Sequence, residues 1–456
     1  MASNEERSPR AATGDAASGA RYIARWLVLT APVALITGSA VALFLWTLSL
    51  ATDTRIAHPS LLWWLPVAGA VVGLAYARWG STVERGTNLI VDEIHEPGGG
   101  VPAVMAPLIL ASTIVTHLFG GSAGREGTAV QMGGSIASTF DRALFARWRG
   151  WFTLSASDRA VLLQSGIAAG FGAVFGTPLA GAVFALEVLT RGRLAYTALI
   201  PCLMAALIGD WTATVWRIHH TAYPTIALST LGGSPVALML LAKVCAAAVL
   251  FGLTSLSFTE SMHRLGRAFN RMIPQPWLRP AIGGVLVIGL TLLIGSRDYL
   301  GLGVSSTVPG AVTIVSSFRD GGALPWSFLL KFVFTAITLA SGFKGGEVTP
   351  LFFIGAALGN ALAVLLHAPV ELFAALGFVA VFAGATNTPL ACTVMGLELF
   401  GVNAAVYIGV ACAIAFLCSG HSSIYSAQRR PSARSALGVN GLSPDAQVVA
   451  RERLER

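Results

Sequence analysis

The sequence predicts an all-α polytopic membrane protein of two inverted-topology repeats with broken and tilted helices. Three observations predict it. Of 456 residues, 54% are hydrophobic and 11% charged, against about 25% charged in soluble domains. The pattern Thr177-Pro178-Leu179-Ala180 followed by Glu187 recurs, at the same spacing, as Thr388-Pro389-Leu390-Ala391 followed by Glu398. Two glycine-flanked acids, Glu126 in Gly124-Arg125-Glu126-Gly127-Thr128 and Glu347 in Gly345-Gly346-Glu347-Val348-Thr349-Pro350, interrupt apolar sequence, one in each half.

The elements follow from apolar length. A spanning helix needs about 20 apolar residues. Runs that meet or approach this lie near 26–50, 61–77, 101–118, 158–190, 195–216, 235–258, 280–295, 325–341, 351–366, 372–385 and 402–418. Many are broken by Gly or Pro, so uniform spanning rods are not expected. Residues 1–20, rich in Ala, Ser, Glu and Arg, read as a disordered cytoplasmic tail. Residues 21–428 form the transmembrane domain, the first repeat covering about 21–216 and the second about 235–418. Residues 429–456 form a polar cytoplasmic tail. Trp26, Trp46, Trp63 and Trp64 lie near segment ends, as interfacial anchors do.

The net charge of +8 points to loops at a membrane, not to a nucleic-acid partner. Arginines gather at segment ends: Arg21 and Arg25; Arg142, Arg147 and Arg149; Arg191 and Arg193; Arg264, Arg267, Arg271 and Arg279; Arg429, Arg430 and Arg434. The positive-inside rule then puts both termini and these loops in the cytoplasm. The loops near 51–60, 217–234 and 298–303 are poorer in basic residues and face outward. The five cysteines sit in apolar segments without metal-ligand spacing, as small buried hydrophobes with no disulfide framework. No metal and no cofactor is expected.

Inversion is read from charge. The loop after the first acidic motif carries Arg142, Arg147, Arg149 and Arg159, whereas its counterpart, His367-Ala368-Pro369-Val370-Glu371, has no Lys or Arg. Equivalent loops of unlike charge enter from opposite sides of the membrane. Inverted repeats of this kind place their substrate at the midplane between the halves.

The acidic motifs supply the chemistry. Gly120-Gly121-Ser122-Ala123-Gly124 breaks the chain and a helix begins near Glu126; Gly345-Gly346 breaks it again and a helix runs on through Pro350. Proline in a first helical turn is pre-organised. Free N–H groups at such termini hold anions. A buried charge costs about 2.5–3.5 kcal/mol on the insertion scale. A helix terminus returns about 0.3–1 kcal/mol, or ~2 when partly buried. Glu126 is therefore expected to occupy the anion site with all its donors, or to take a proton and leave. That exchange couples anion to proton. Glu347, beside a bound anion, is tolerable when protonated, and a protonated carboxyl is a donor. A small, basic anion such as fluoride gains most from it.

These residues resemble the CLC chloride channels and anion/proton antiporters, from about Arg21 to Gln428. Gly124-Arg125-Glu126-Gly127 stands at the family's gating-glutamate motif, and Gly346-Glu347-Val348-Thr349-Pro350 at its second anion-facing helix start. Tyr425 resembles the tyrosine of the inner site, opening a last helix at about 421–428, and Thr87-Asn88 takes the place of the central serine segment. The resemblance implies the CLC-like fold, a homodimer in the bilayer, and anion-binding roles for Gly124, Arg125, Gly127, Gly346, Val348, Thr349, Tyr425, Thr87 and Asn88. It also implies gating and proton transfer by Glu126 and Glu347. Several departures resemble the fluoride/proton antiporter branch: Thr128 where proline is common, Glu347 and Thr349 where chloride types are apolar, and Val188 where the inner proton-accepting glutamate of chloride exchangers would fall. The function implied is fluoride export from a bacterial cytoplasm across the inner membrane, driven by inward proton flow, with no enzymatic activity.

Two other readings stand beside it. One is a chloride or nitrate antiporter, or a passive anion channel, of the same family. The other is an intramembrane serine protease using Ser122, within Gly120-Gly121-Ser122-Ala123-Gly124, with His117 or His421 as base. Glu187 and Glu398 are expected to cap helix ends or meet arginines. Asp92, Glu93, His95 and Glu96 read as a solvated face, His219 and His220 as an outer loop, and Asn387 as a helix cap. Lys344 either pairs with Glu347 or reaches water.

Overall fold

A computed structural model describes residues 9–147, 154–226 and 235–430. In chain order the helices are α1 (Pro9–Ala57), α2 (Leu65–Trp79), α3 (Thr87–His95), α4 (Met105–Leu118), α5 (Glu126–Arg147), α6 (Ala156–Phe175), α7 (Pro178–Glu187) and α8 (Leu199–Val215). The second half holds α9 (Pro235–Met272), α10 (Leu278–Ile294), α11 (Ser327–Ala340), α12 (Val348–Leu366), α13 (Val370–Thr386), α14 (Pro389–Phe400) and α15 (Ala405–Cys418). Among the described residues, five helical stretches are long and apolar enough to cross a membrane: Ser18–Ala57, Pro59–Trp79, Tyr196–Val215, Val236–Met272 and Val348–Leu366. At about 1.5 Å per residue, the 14 residues of α4 reach only part of the way. The unequal lengths are those of a broken-helix fold.

Three sequence expectations are corrected. Helix α1 begins at Pro9, inside the segment read as a disordered tail. Its first turns are alanine-rich, the best helix formers, and they extend a helix already nucleated by the apolar run behind them. The run 158–190 holds the glycine-rich helix and the Thr-Pro-Leu helix that the repeat pattern implies, since Gly176 ends α6 at φ +72° and Pro178 starts α7. Residues 421–428 form turns, not a helix. Their amides bond elsewhere, Ile424 N to Ala385 O and Ala427 N to Asn88 Oδ1. Trp26 is 3% exposed and packs in the core, so it is no interfacial anchor. The side chains of Arg147, Arg149 and Arg434 lie outside the described residues, as do residues 227–234 of one outward loop.

The repeat is visible in the caps. Helices α5, α6 and α7 correspond to α12, α13 and α14. Thr177 and Thr388 are matched N-caps, each followed by proline at the first helical position. The preceding residues, Gly176 and Asn387, both take the left-handed conformation, at φ +72° and +57°. Asn387 is thus a helix cap, but at the C-terminal end of α13, while Thr388 holds the N-cap of the helix that follows. Each half also has one tight helix crossing. A Cβ on Gly133 would stand 2.0 Å from Gly166 O, and one on Gly355 2.0 Å from Gly377 O. Small residues let helix backbones approach in this way.

The repeats cap one another. Glu187 Oε1 and Oε2 accept from Leu390 N (3.1 Å) and Ala391 N (2.8 Å) at the start of α14. Glu398 Oε1 and Oε2 accept from Leu179 N (3.0 Å) and Ala180 N (2.8 Å) at the start of α7. Each acid thus satisfies orphan amides of the other half, a swap that follows from a two-fold relation. Both are helix caps, as expected, and neither meets an arginine in these contacts.

Candidate functional site

The two glycine breaks meet. Gly124 N donates to Gly346 O at 2.6 Å and Gly346 N donates to Gly124 O at 2.8 Å, an isolated antiparallel bridge. A Cβ on Gly124 would lie 2.8 Å from Gly346 O and 2.9 Å from Thr349 Oγ1, so only glycine permits the approach. Helix α5 starts at Glu126 and α12 at Val348, with Glu347 as its N-cap. Two positive helix ends are therefore brought together inside the protein.

Glu126 sits on the terminus of the opposite half. Its Oε2 accepts from Thr349 N at 3.0 Å and from Thr349 Oγ1 at 2.5 Å. Arg125 N donates to the same oxygen at 3.2 Å, and Arg125 Nε lies 3.5 Å from Oε1. Glu126 is 1% exposed. Arg125 and Glu126 are in contact, but at this buried junction and not in a surface loop. The carboxylate fills a nest of amide and hydroxyl donors, the arrangement an anion would otherwise use.

Glu347 lies at the same helix end. Its Oε2 is 3.8 Å from where a Cβ on Gly127 would stand. It borders a cavity of about 280 Å³ together with Thr87, Asn88, Lys344 and Tyr425. Thr87 opens α3 behind Gly86, whose φ of +55° requires glycine. Asn88 Oδ1 accepts from Ala427 N at 2.9 Å and so fixes the segment carrying Tyr425. Tyr425 is 4% exposed and its ring packs on Phe184 at 6.3 Å. Val348 is 1% exposed beside Glu347. Lys344 makes no direct salt bridge with Glu347 but shares its cavity, and its ammonium lies 4.1 Å from the centre of the Tyr76 ring, a cation–π contact.

A second cavity, about 660 Å³, opens near the other end of the Glu126 junction. It is lined by Arg55, Arg125 and Arg297, with Asp53 and Asp298. Residues from the two loops read as outward, 51–60 and 298–303, share this cavity. Sequence reasoning did not single out Arg55 or Lys331. Lys331 is fully buried on α11, donating to Tyr299 O at 3.2 Å and Gly301 O at 2.7 Å. The available signal was a lone cation in the apolar run 325–341, since intramembrane charges mark function.

Other motifs resolve plainly. Ser122 Oγ bonds Thr335 Oγ1 at 3.0 Å, while His117 Nε2 faces Gly124 O at 3.4 Å. His421 contacts Arg191, so neither histidine is placed as a base for Ser122. Asp92 and Glu96 pair with Arg85 and Arg429, and Glu93 accepts from Gly98 N. Among the described residues no His, Cys, Asp and Glu group could hold a metal. His220 lies 3.8 Å from Asp210. Three cysteines, Cys202, Cys392 and Cys412, are buried, and Cys245 and Cys418 half-buried, all as free thiols.

Inverted broken helices whose amide ends share one buried seat define a multi-pass membrane protein for ion transport. A family model described as the voltage gated chloride channel matches residues 68–420, and the chain belongs to that family. A "Chloride/fluoride channel protein" of Pseudomonas syringae pv. tomato is 50% identical over 414 residues, 90% of this chain and 87% of its own. The crystal structure of a CLC-type fluoride/proton antiporter superposes with TM-score 0.81 at 31% identity, covering 89% of this chain and 98% of its own. A slow cyanobacterial Cl−/H+ antiporter shares the fold, with TM-score 0.69 at 21% identity, over 88% and 96% of the two chains.

Proposed function

We propose that this chain exports fluoride in exchange for inward protons. One observation carries it: Glu126 occupies, with Thr349 N and Thr349 Oγ1, a seat built for an anion, while a second acid, Glu347, stands at the N-cap position of the same helix without a side-chain cap bond. Charged Glu126 excludes the anion. Protonated, it loses its charge-assisted bonds and yields the seat. Each anion that passes therefore requires a proton on Glu126.

Fluoride is favoured over chloride by the donors. Thr349 offers a hydroxyl, and a protonated Glu347 would offer another; short O–H donors reward a small, basic anion more than a diffuse one. Val188, a buried apolar residue after Glu187, offers no acid, and Glu347 borders, with Glu84, the cavity shared with Tyr425 and Thr87. On this reading Gly124, Gly127, Gly346 and Val348 supply backbone at the seat, Arg125 steadies Glu126, and Asn88 positions Tyr425. Support for fluoride also comes from the names of the bacterial relative and the structural neighbour. The cavity near Arg55 would face outward and that near Glu347 the cytoplasm of a bacterial inner membrane. A homodimer follows from the family resemblance.

The test is efflux from vesicles holding the purified protein, with fluoride and chloride electrodes in parallel. Fluoride is expected to leave while chloride is retained. Equal rates would return the protein to the general chloride-type antiporters and channels.

A further inference from the structure

The cavity at the end of α1 holds a cation without a partner. Arg55 is half-buried and lines the cavity. Its Nε is sealed from solvent and donates to no partner. No hydrogen bond or ion pair joins its guanidinium to any described residue. A guanidinium carries five donors. With its Nε shut away from solvent and no protein acceptor facing it, the guanidinium presents these donors to the cavity.

The surroundings hold it in place rather than neutralise it. Gly120, at φ +94°, and Gly301, at φ +59°, form the two walls of a slot. A Cβ on Gly301 would stand 3.0 Å from Arg55 Nη2, and one on Gly120 3.7 Å from Arg55 Cδ. Arg297 and Arg125 line the same cavity. Of the two acids there, Asp298 is engaged, its Oδ2 accepting from Val312 N at 3.2 Å. Behind the wall, the fully buried Lys331 ammonium rests on the carbonyls of Tyr299 and Gly301, with no acid among those contacts.

We propose that Arg55, with Arg297 and Arg125 around it, forms a binding site for a small inorganic anion in this cavity, distinct from the seat that Glu126 fills. The anion accepts from the Arg55 guanidinium and balances the local excess of positive charge. In the transport account it is where an ion stands once it has passed Glu126, a role that rests on the proposed function. Occupancy of the site does not.

The experiment is anomalous diffraction from crystals of the full chain soaked in bromide. A peak beside Arg55 is expected in the wild type. Arg55→Gln is expected to lose it, and Arg297→Gln, at an exposed cavity position, to weaken it. A wild-type cavity without bromide, or a peak unchanged in both variants, would overturn the site. Should Arg55→Gln fail to fold, the Arg297→Gln crystal decides by the same criterion. A bromide peak at Arg55 in a protein that moves neither fluoride nor chloride would keep the site and remove the transport reading.

Discussion

Glu126→Gln is the substitution that separates a gate from a spectator. The Glu126 carboxylate accepts three bonds, from Thr349 N, Thr349 Oγ1 and Arg125 N. Charge-assisted bonds are about twice as strong as neutral ones, and an amide can replace them only with neutral bonds. The loss is about 1 kcal/mol per bond, or about 3 kcal/mol for the set. An anion competing for the same Thr349 donors gains that difference, equivalent to about two decades in affinity. The uncharged amide also cannot carry a proton. Fluoride binding, measured by titration calorimetry on purified protein, is expected to tighten by ten- to a hundred-fold (about 1.4–3 kcal/mol). Vesicles holding Glu126→Gln are expected to leak fluoride with no accompanying proton flux. Unchanged affinity together with intact proton exchange would refute the assignment of Glu126 to the seat.

Further outcomes follow from the same geometry. Thr349→Val removes the hydroxyl that meets Glu126; fluoride transport should fall by about ten-fold, the worth of one bond to a charged group, while Thr349→Ser restores it. Glu187→Ala and Glu398→Ala each strip two amide caps from the other half. Each should lower the thermal midpoint in detergent, by about 2–4 kcal/mol of stability, without uncoupling anion from proton. Unaltered midpoints with lost coupling would make them ion carriers instead. Ser122→Ala loses one bond to Thr335 and should leave fluoride efflux largely intact, where a protease reading requires loss of all activity.

The site is legible in the sequence where chemistry conflicts with its surroundings. Glu126 and Glu347 stand out because glycine-flanked acids in apolar runs need a reason, and the helices begin where the glycines end. The inverted repeat is legible because Thr177-Pro178 and Thr388-Pro389 form matched caps. What each acid touches is not legible. Glu187 and Glu398 were recognisable as caps, but reaching across to the opposite half requires the two-fold relation in space. Lys344 lays its ammonium on the Tyr76 ring while sharing a cavity with Glu347, a placement set by neighbours far away in sequence. The segment 421–428 carries a helix-like resemblance, yet its amides are taken by Ala385 and Asn88. Arg55, at the end of a helix, looks like an ordinary interfacial arginine until Gly120 and Gly301 close around it.

The central claim is that one buried seat serves both Glu126 and the anion, so protons and fluoride move as linked counterflows. Vesicles containing the wild-type protein and loaded with fluoride, with membrane voltage clamped near zero and no initial pH difference, test it directly. Fluoride leaving down its gradient should draw protons inward and make the outside medium alkaline. Fluoride loss with a steady external pH would contradict the account.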